Sequence, residues 1–273
     1  MPSDRRLERE AAKRRKHHRG QAIAALSSVV VLGGLAVAIL TSPGWPEVRE
    51  TFFNWEVFKN SFPDVLKAFW LDVKIFVVAE LAILVVGLVI ALVRLARSPA
   101  FFPLRLLAVV WVDLFRGIPT ILLIFLIGFG VPALRLDGVP ADPVVLGAIA
   151  LILSYSAYVA EVYRAGVNSV HRSQRDAALA VGLTETQAMR HVVLPQAVRR
   201  VAPPLLNDFV ALQKDVALIS ILGPLEAFRE AQIIESQLFN FTPLVAAALL
   251  YLAVTIPTAR IVDRMGGPEG AVR

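Results

Sequence analysis

Long uncharged apolar segments are the feature that most limits how this chain can fold. About 20 such residues in a helix cross the roughly 30 Å hydrocarbon core of a bilayer. Only 18% of the 273 residues are charged and 56% are hydrophobic, which argues against a water-soluble enzyme. The sequence therefore predicts an all-α integral membrane protein with about six transmembrane helices. The candidate spans are residues 21–40, 75–93, 106–131, 143–160, 203–225 and 236–259.

The segment at 203–225 differs from the others because it carries Asp208, Lys214 and Asp215. Its Leu, Ile, Val and Phe residues favour insertion by roughly 3 to 7 kcal/mol, while three charges oppose it by about 8 to 10 kcal/mol. This helix therefore needs protein or water around its charges. Asp208 and Asp215 fall on nearly one helical face, and we expect the three charges to line or gate a solute path. Internal pairing that locks the helices together is an equally good interpretation.

Two further charged residues are candidates for the path or gate. Arg116 lies beside a glycine and a proline, where a kinked helix can open backbone groups to a cavity. An ion pair between Arg116 and Asp113 is an equal alternative. Glu161 and Arg164 are three residues apart at the end of a span, which favours a local ion pair over a catalytic dyad.

Basic residues are concentrated in a few segments. Residues 1–20 contain eight Lys or Arg against three Asp or Glu, so most of the net charge of +6 lies there. The loops at 94–105 and 164–200 and the C-terminal end are also basic. The positive-inside rule places these segments, and both termini, in the cytoplasm. A basic tail on an apolar body does not indicate nucleic-acid binding, and we expect lipid around the helices.

Several kinds of chemistry are missing from the sequence. It has no cysteine, which excludes disulfides and cysteine-ligated zinc. The four histidines lack metal-site spacing, so no metal site is predicted. There is no Gly-x-x-x-x-Gly-Lys-[Ser/Thr] segment to hold ATP phosphates. We predict no catalytic residue and a chain that is not an enzyme, with any ATP and Mg bound by a partner.

Residues 166–195, here called the hairpin, predict two short helices joined by a tight turn. The first ends at Gly182, because glycine readily adopts the left-handed conformation of a helix C-cap. Thr184 and Gln187 form a capping box that starts the second helix, and Pro195 is expected to end it. A hairpin that only covers the cytoplasmic surface is one interpretation. A DNA-binding helix-turn-helix is another, although tethering to membrane spans hinders access to a major groove.

The hairpin resembles the EAA loop of the permease subunits of bacterial ABC importers. The family pattern is Glu-Ala-Ala, three residues, Gly, nine residues, Ile, one residue, then Leu-Pro. Here Asp replaces Glu and Val192 replaces Ile, and the spacing agrees throughout. The resemblance implies that this loop is a coupling element that docks on a cytoplasmic ATPase. The residues that carry it are Asp176, Ala177, Ala178, Gly182, Leu194 and Pro195.

The flanking segments resemble the polar amino acid branch of that family. They are FRGIPT (115–120), AYVAEVYRAGVNSV (157–170) and LPQAVRRVAPPLLNDFVALQKD (194–215). The resemblance implies a five-helix type I importer core with one extra helix before it. The expected organisation is a basic cytoplasmic tail (1–20), the extra helix and an outward connector (21–64), the importer domain (65–262) with its coupling loop (166–195), and a cytoplasmic tail (263–273).

The resemblance also implies a function and partners. We expect a permease subunit that moves a polar amino acid, such as glutamate, glutamine or a basic amino acid, across the bacterial plasma (inner) membrane by alternating access. The implied partners are an ABC ATPase dimer at the coupling loop, an identical or homologous second permease subunit, and an extracellular or periplasmic solute-binding protein. An ion-gradient-driven carrier or channel is the alternative, with the buried acids as ion sites. A membrane-tethered helix-turn-helix regulator is a further one.

Overall fold

The computed structural model describes the backbone of residues 4–96 and 98–266, and their side chains except at 4–19, 22, 263, 265 and 266. The described residues form helices joined by short loops, with no β-strand among them, which confirms the predicted all-α architecture. They divide into two compact units, one ending at Asn54 and the other beginning at Trp55. The side chains of the predicted basic tail (1–20) and C-terminal tail (263–273) lie almost entirely outside the described residues.

The first unit contains two helices. α1 (Asp4–Leu40) includes the apolar window Ile23–Leu40, which is exposed along its length. A window of this length and composition is suited to lipid contact. α2 (Trp45–Phe52) has a proline in its first turn. The segment expected to be a connector therefore contains a helix.

The second unit holds the remaining helices. The longest are α3, α7, α10 and α12, and the shorter ones link them. The bounds are α3 (Trp55–Leu95), α4 (Phe102–Gly117), α5 (Thr120–Gly128), α6 (Gly130–Ala133), α7 (Pro143–Ser169), α8 (Arg172–Ala180), α9 (Glu185–Ala188), α10 (Leu194–Asp215), α11 (Ala227–Leu238) and α12 (Thr242–Gly266).

Four helices in the described ranges, α1, α3, α7 and α12, are long and apolar enough to cross a membrane. The segments Pro99–Gly117 and Thr120–Ala133 meet at 103° and make a fifth span if the bent pair crosses as one. The bend lies at Ile118 and Pro119, because the residue before a proline is driven to extended backbone. The sixth candidate, 203–225, does not pass as a span. Its charged helix α10 packs against α7 and α12 instead, and a total of six stays a prediction.

The main core of the second unit is formed by α3, α5, α7, the last turn of α10 and the 3₁₀ segment Val216–Leu222 that follows it. α3 buries every fourth residue along one stripe, including Ile75, Ala79 and Ile83. At Gly87 of this stripe, an added Cβ would lie only 2.7 Å from Val159 Cγ1 of α7. The small residue therefore allows the two helices to approach closely.

Candidate functional site

The first helix of the hairpin ends as the sequence predicted. Gly182 has a φ of +90°, and its N–H donates to the carbonyl of Leu179 at 3.0 Å. The N–H of Leu183 donates to the carbonyl of Ala178 at 3.2 Å. These two bonds form a Schellman motif, and the left-handed position of that motif is usually occupied by glycine. The predicted C-cap is confirmed.

The second helix begins with the predicted capping box. The N–H of Thr184 donates to Gln187 Oε1 at 2.8 Å, and the N–H of Gln187 donates to Thr184 Oγ1 at 3.3 Å. Arg175 of α8 joins the two helices through a bidentate ion pair with Glu185, with Nε 2.8 Å from Oε2 and Nη2 donating to Oε1. These hydrogen bonds raise the pKa of Arg175. The turn is therefore stabilised by backbone and side-chain hydrogen bonds at both of its ends and by an ion pair that joins its two helices.

Pro195 does not end the second helix, and that prediction was wrong. α9 is followed by a π turn, Met189–Val193, and then by α10, with Pro195 in its first turn. Proline is accepted there because a first-turn residue needs no N–H for the helical ladder. The π turn lies directly before this segment, and its i to i+5 hydrogen bonding shifts the helical register by one residue. The hairpin thus continues into α10 without a loop.

The residues implied to contact the ATPase differ in exposure. Ala178 is 5% exposed and packs inside the hairpin. Val181, at the tip of the turn, is 79% exposed. A cavity of about 790 Å³ lies against α8 and the π turn and is lined in part by Arg172 and Met189. The remaining residues of the pattern are exposed, namely Asp176, Ala177, Gly182, Leu194 and Pro195.

A second group of polar residues lies among the apolar helices, and we call it the path cluster: Glu80, Arg116, Tyr155, Asp208 and Asp215. The hydroxyl of Tyr155 donates to Asp215 Oδ2 at 2.8 Å. Asp208 is near enough to Glu80 and Arg116 for electrostatic interaction. Its Oδ2 is buried and accepts no hydrogen bond from the described residues. Three carboxyl groups and one guanidinium therefore share one region.

Two members of the path cluster were not named as site residues from the sequence. Glu80 is the single acid within the apolar run 75–93, and an acid inside a membrane span is a functional candidate for that reason alone. Tyr155 carried no such signal, because its role depends on the distant chain segment that holds Asp215.

Arg116 stacks on the ring of Tyr158 at 5.4 Å. The alternative ion pair with Asp113 does not occur in the described part of the chain.

Two predicted path residues lie elsewhere. Lys214 is exposed on another face of α10, where it lines a cavity with residues of α11 and α12. Glu161 lies 2.7 Å from the guanidinium Nη1 of Arg94 on α3 and also pairs with Arg164. The predicted pair with Arg164 is confirmed. Glu161 therefore ties α7 to the last turn of α3, and its ionic partners among the described residues are these two arginines, not members of the path cluster.

Comparison with known proteins identifies relatives over most of the chain. Residues 83–266 match the model of the family described as binding-protein-dependent transport system inner membrane component. A probable glutamine ABC transporter permease protein, GlnM, of Bacillus subtilis (strain 168) is 35% identical over 207 residues, which are 75% of this chain and 92% of that protein. The arginine transport system permease protein ArtQ of the same strain is 30% identical over 195 residues, 71% of this chain and 87% of that protein.

Solved structures agree in fold. The crystal structure of an amino acid ABC transporter with histidines matches with a TM-score of 0.70 and 28% identity, covering 77% of this chain and 96% of that chain. An inward-facing MetNI methionine ABC transporter matches with a TM-score of 0.56 at 20% identity, over 74% and 96% of the two chains, and supports the fold alone. The family match spans more than half of the sequence. This chain therefore belongs to the inner membrane components of binding-protein-dependent transport systems and is a multi-pass protein of the bacterial plasma membrane.

Proposed function

We propose that this chain is the permease subunit of an ATP-driven importer for a polar amino acid. The observation that carries the proposal is the hairpin, whose complete EAA spacing coincides with a turn fixed by the left-handed Gly182. The names of the relatives, which include glutamine and arginine permeases, support an amino acid as the solute. Because the sequence has no P-loop, ATP and Mg bind to a partner ATPase.

The hairpin passes motion of the ATPase to the membrane through α10. The π turn joins the hairpin to α10 without an intervening loop, and α10 has 22 residues, about 33 Å at 1.5 Å per residue. Its far half carries Asp208 and Asp215. When ATP closes the ATPase dimer, the hairpin moves with it, and α10 displaces two acids of the path cluster. Nucleotide must bind one of the two conformations more tightly for this to work.

The path cluster suits the two charged groups of an amino acid. The carboxylates of Glu80, Asp208 and Asp215 attract an ammonium group, and the guanidinium of Arg116 attracts a carboxylate. Asp208 has a buried oxygen with no partner in the described residues, which leaves it available to a donor on the solute. Selection among amino acids is shared with an external solute-binding protein. A second permease subunit, identical or homologous, completes the path.

Uptake by the assembled importer in proteoliposomes tests the proposal. Asp208→Asn is expected to lower uptake about tenfold or more, since a hydrogen bond to a charged group contributes about 1.5–3 kcal/mol, while subunit assembly is unchanged. Asp215→Asn is expected to act in the same direction. Asp113→Asn, an exposed acid of α4, is the matched control and should leave uptake unchanged. Wild-type uptake by both cluster variants would remove these acids from the path.

The same preparation distinguishes the alternative mechanism. An importer of this kind moves solute only with the ATPase, ATP and the binding protein present. Flux through the chain alone under a proton or sodium gradient would instead identify an ion-driven carrier and would contradict the proposal.

A further inference from the structure

Two buried carboxyl groups lie against each other outside the path cluster. Asp72 of α3 is 3% exposed and Glu226, the N-cap of α11, is fully buried. The carboxylate of Glu226 accepts the N–H groups of Phe228 and Arg229, both at 2.7 Å. It also accepts the hydroxyl of Tyr251 of α12 at 3.3 Å. Glu226 therefore has three donors.

Asp72 accepts fewer hydrogen bonds than Glu226. Its Oδ2 accepts the N–H of Ala227 at 3.1 Å. Its Oδ1 is buried and receives no hydrogen bond from the described residues, yet Asp72 and Glu226 are within hydrogen-bonding reach of each other. Among the described residues, Tyr251 is the other titratable side chain that interacts with both carboxyl groups. No Lys, Arg or His among the described residues forms an ion pair with either carboxyl group.

Two ionised carboxylates in contact inside a protein repel strongly, whereas one proton between them makes a strong hydrogen bond. We propose that Asp72 and Glu226 share one proton, with Asp72 as the neutral donor and Glu226 as the charged acceptor. The assignment follows from the backbone donors, because two N–H groups stabilise the charge of Glu226 and one reaches Asp72, while the hydroxyl of Tyr251 lies within reach of both carboxyl groups. Glu226 also lies at the N-terminus of α11, where the helix dipole favours a negative charge.

The shared proton acts as a latch between three helices. It joins α3 to the N-terminus of α11, and the hydroxyl of Tyr251 adds α12. A cavity of about 200 Å³ reaches Asp72. Its other polar lining residues are Gln213 and Thr258, and six of its nine lining residues are apolar. The buried Oε1 of Gln213 also lacks a partner in the described residues. The three polar side chains of this cavity can hold a water molecule next to Asp72.

The latch predicts how α11 responds to pH. Because the closed latch contains one proton more than the open one, its opening equilibrium rises about tenfold for each pH unit between the ordinary pKa of an exposed aspartic acid, about 4, and the pH at which the closed pair releases its proton. Above that pH it is constant. Asp72→Asn replaces the acid with a neutral donor of the same shape, so the variant should stay closed at alkaline pH. The proposal is independent of what the protein transports.

Infrared spectroscopy of the full-length chain in lipid nanodiscs tests the proton directly. The difference between wild type and Asp72→Asn at neutral pH should contain the carbonyl band of a protonated carboxylic acid. Glu226→Gln is the second variant. Its amide donates to Asp72, which then ionises, so the band should also disappear. Asp142→Asn, at the exposed N-cap of α7, should change no such band. Absence of the band from both difference spectra would overturn the proposal.

Hydrogen exchange of α11 tests the latch. Between the ordinary pKa of an exposed aspartic acid and the pH at which the closed pair releases its proton, the exchange rate of the α11 amides in wild type relative to Asp72→Asn should grow about tenfold for each pH unit. Above that pH the ratio should be constant, with the wild-type amides exchanging faster. Equal exchange in both proteins throughout the pH range would overturn the latch even if the proton is present.

Discussion

The turn of the hairpin gives a quantitative prediction for Gly182→Ala. Gly182 has a φ of +90°, and an added Cβ would meet no atom within 4 Å. The cost of the substitution is therefore conformational rather than steric. A left-handed backbone costs an alanine roughly 1–2 kcal/mol, which lowers the ratio of native to non-native turn by a factor of about 5 to 30. The hairpin then presents its binding surface less often.

The assay is the affinity of the full-length chain, in lipid nanodiscs, for its partner ATPase. The apparent Kd rises in inverse proportion to the competent fraction, so Gly182→Ala should raise it, by at most about 30-fold. Gly182→Asn should raise it less, because asparagine tolerates the left-handed conformation. Gly33→Ala in α1, where an added Cβ also meets nothing within 4 Å, should leave it unchanged.

Two results would refute this reasoning. A wild-type Kd for Gly182→Ala would mean that the left-handed turn does not limit binding. An equal loss for alanine and asparagine would mean that the bare glycine surface, rather than its backbone conformation, is what the ATPase recognises.

Three further predictions concern the membrane helices. Gly87→Ala places a Cβ 2.7 Å from Val159 Cγ1 and should lower the free energy of unfolding by about 1–3 kcal/mol, measured by thermal unfolding in nanodiscs. Glu161→Ala removes the partner of half-buried Arg94 and should lower it by about 1.5–3 kcal/mol in the same measurement. Tyr155→Phe removes the hydroxyl that donates to the nearby acid of α10 and should lower uptake severalfold while subunit assembly is retained.

Each of these predictions has a contradicting outcome. Equal unfolding of Gly87→Ala and Gly33→Ala would show that α3 and α7 can separate at no cost. Unchanged stability of Glu161→Ala would mean that the ion pair makes no net contribution to the free energy of unfolding, as is found for many exposed pairs. Normal uptake by Tyr155→Phe would separate this tyrosine from the transport path.

Local features of this fold could be predicted from the sequence, because their causes lie within a few residues. The apolar runs at 75–93, 143–160 and 236–259 lie largely within α3, α7 and α12. The caps at Gly182 and Thr184 depend on backbone preference and on a partner three residues away. The prediction for Pro195 was wrong because the sequence did not reveal the π turn before it. Pro195 follows the π turn and lies in the first turn of α10, so it does not end the helical segment.

The pairings between distant segments could not be predicted. Arg94 and Glu161 are 67 residues apart, and Asp72 and Ala227 are 155 residues apart. Nothing in the local pattern of either segment identifies the other. The sequence indicated which acids are costly in a membrane, such as Glu80 and Asp208, but only the packing of α3 against α7 and α10 brings them together.

The central claim is that the hairpin is the contact between this chain and an ATPase. The sequence has no cysteine, so Val181→Cys introduces a unique thiol at the 79% exposed tip of the turn. Crosslinking in intact cells should join this variant to a subunit with a P-loop, while Leu238→Cys, 53% exposed on α11, should not. If the hairpin thiol never captures such a subunit, or if both positions capture it equally, the coupling role assigned to the hairpin is wrong.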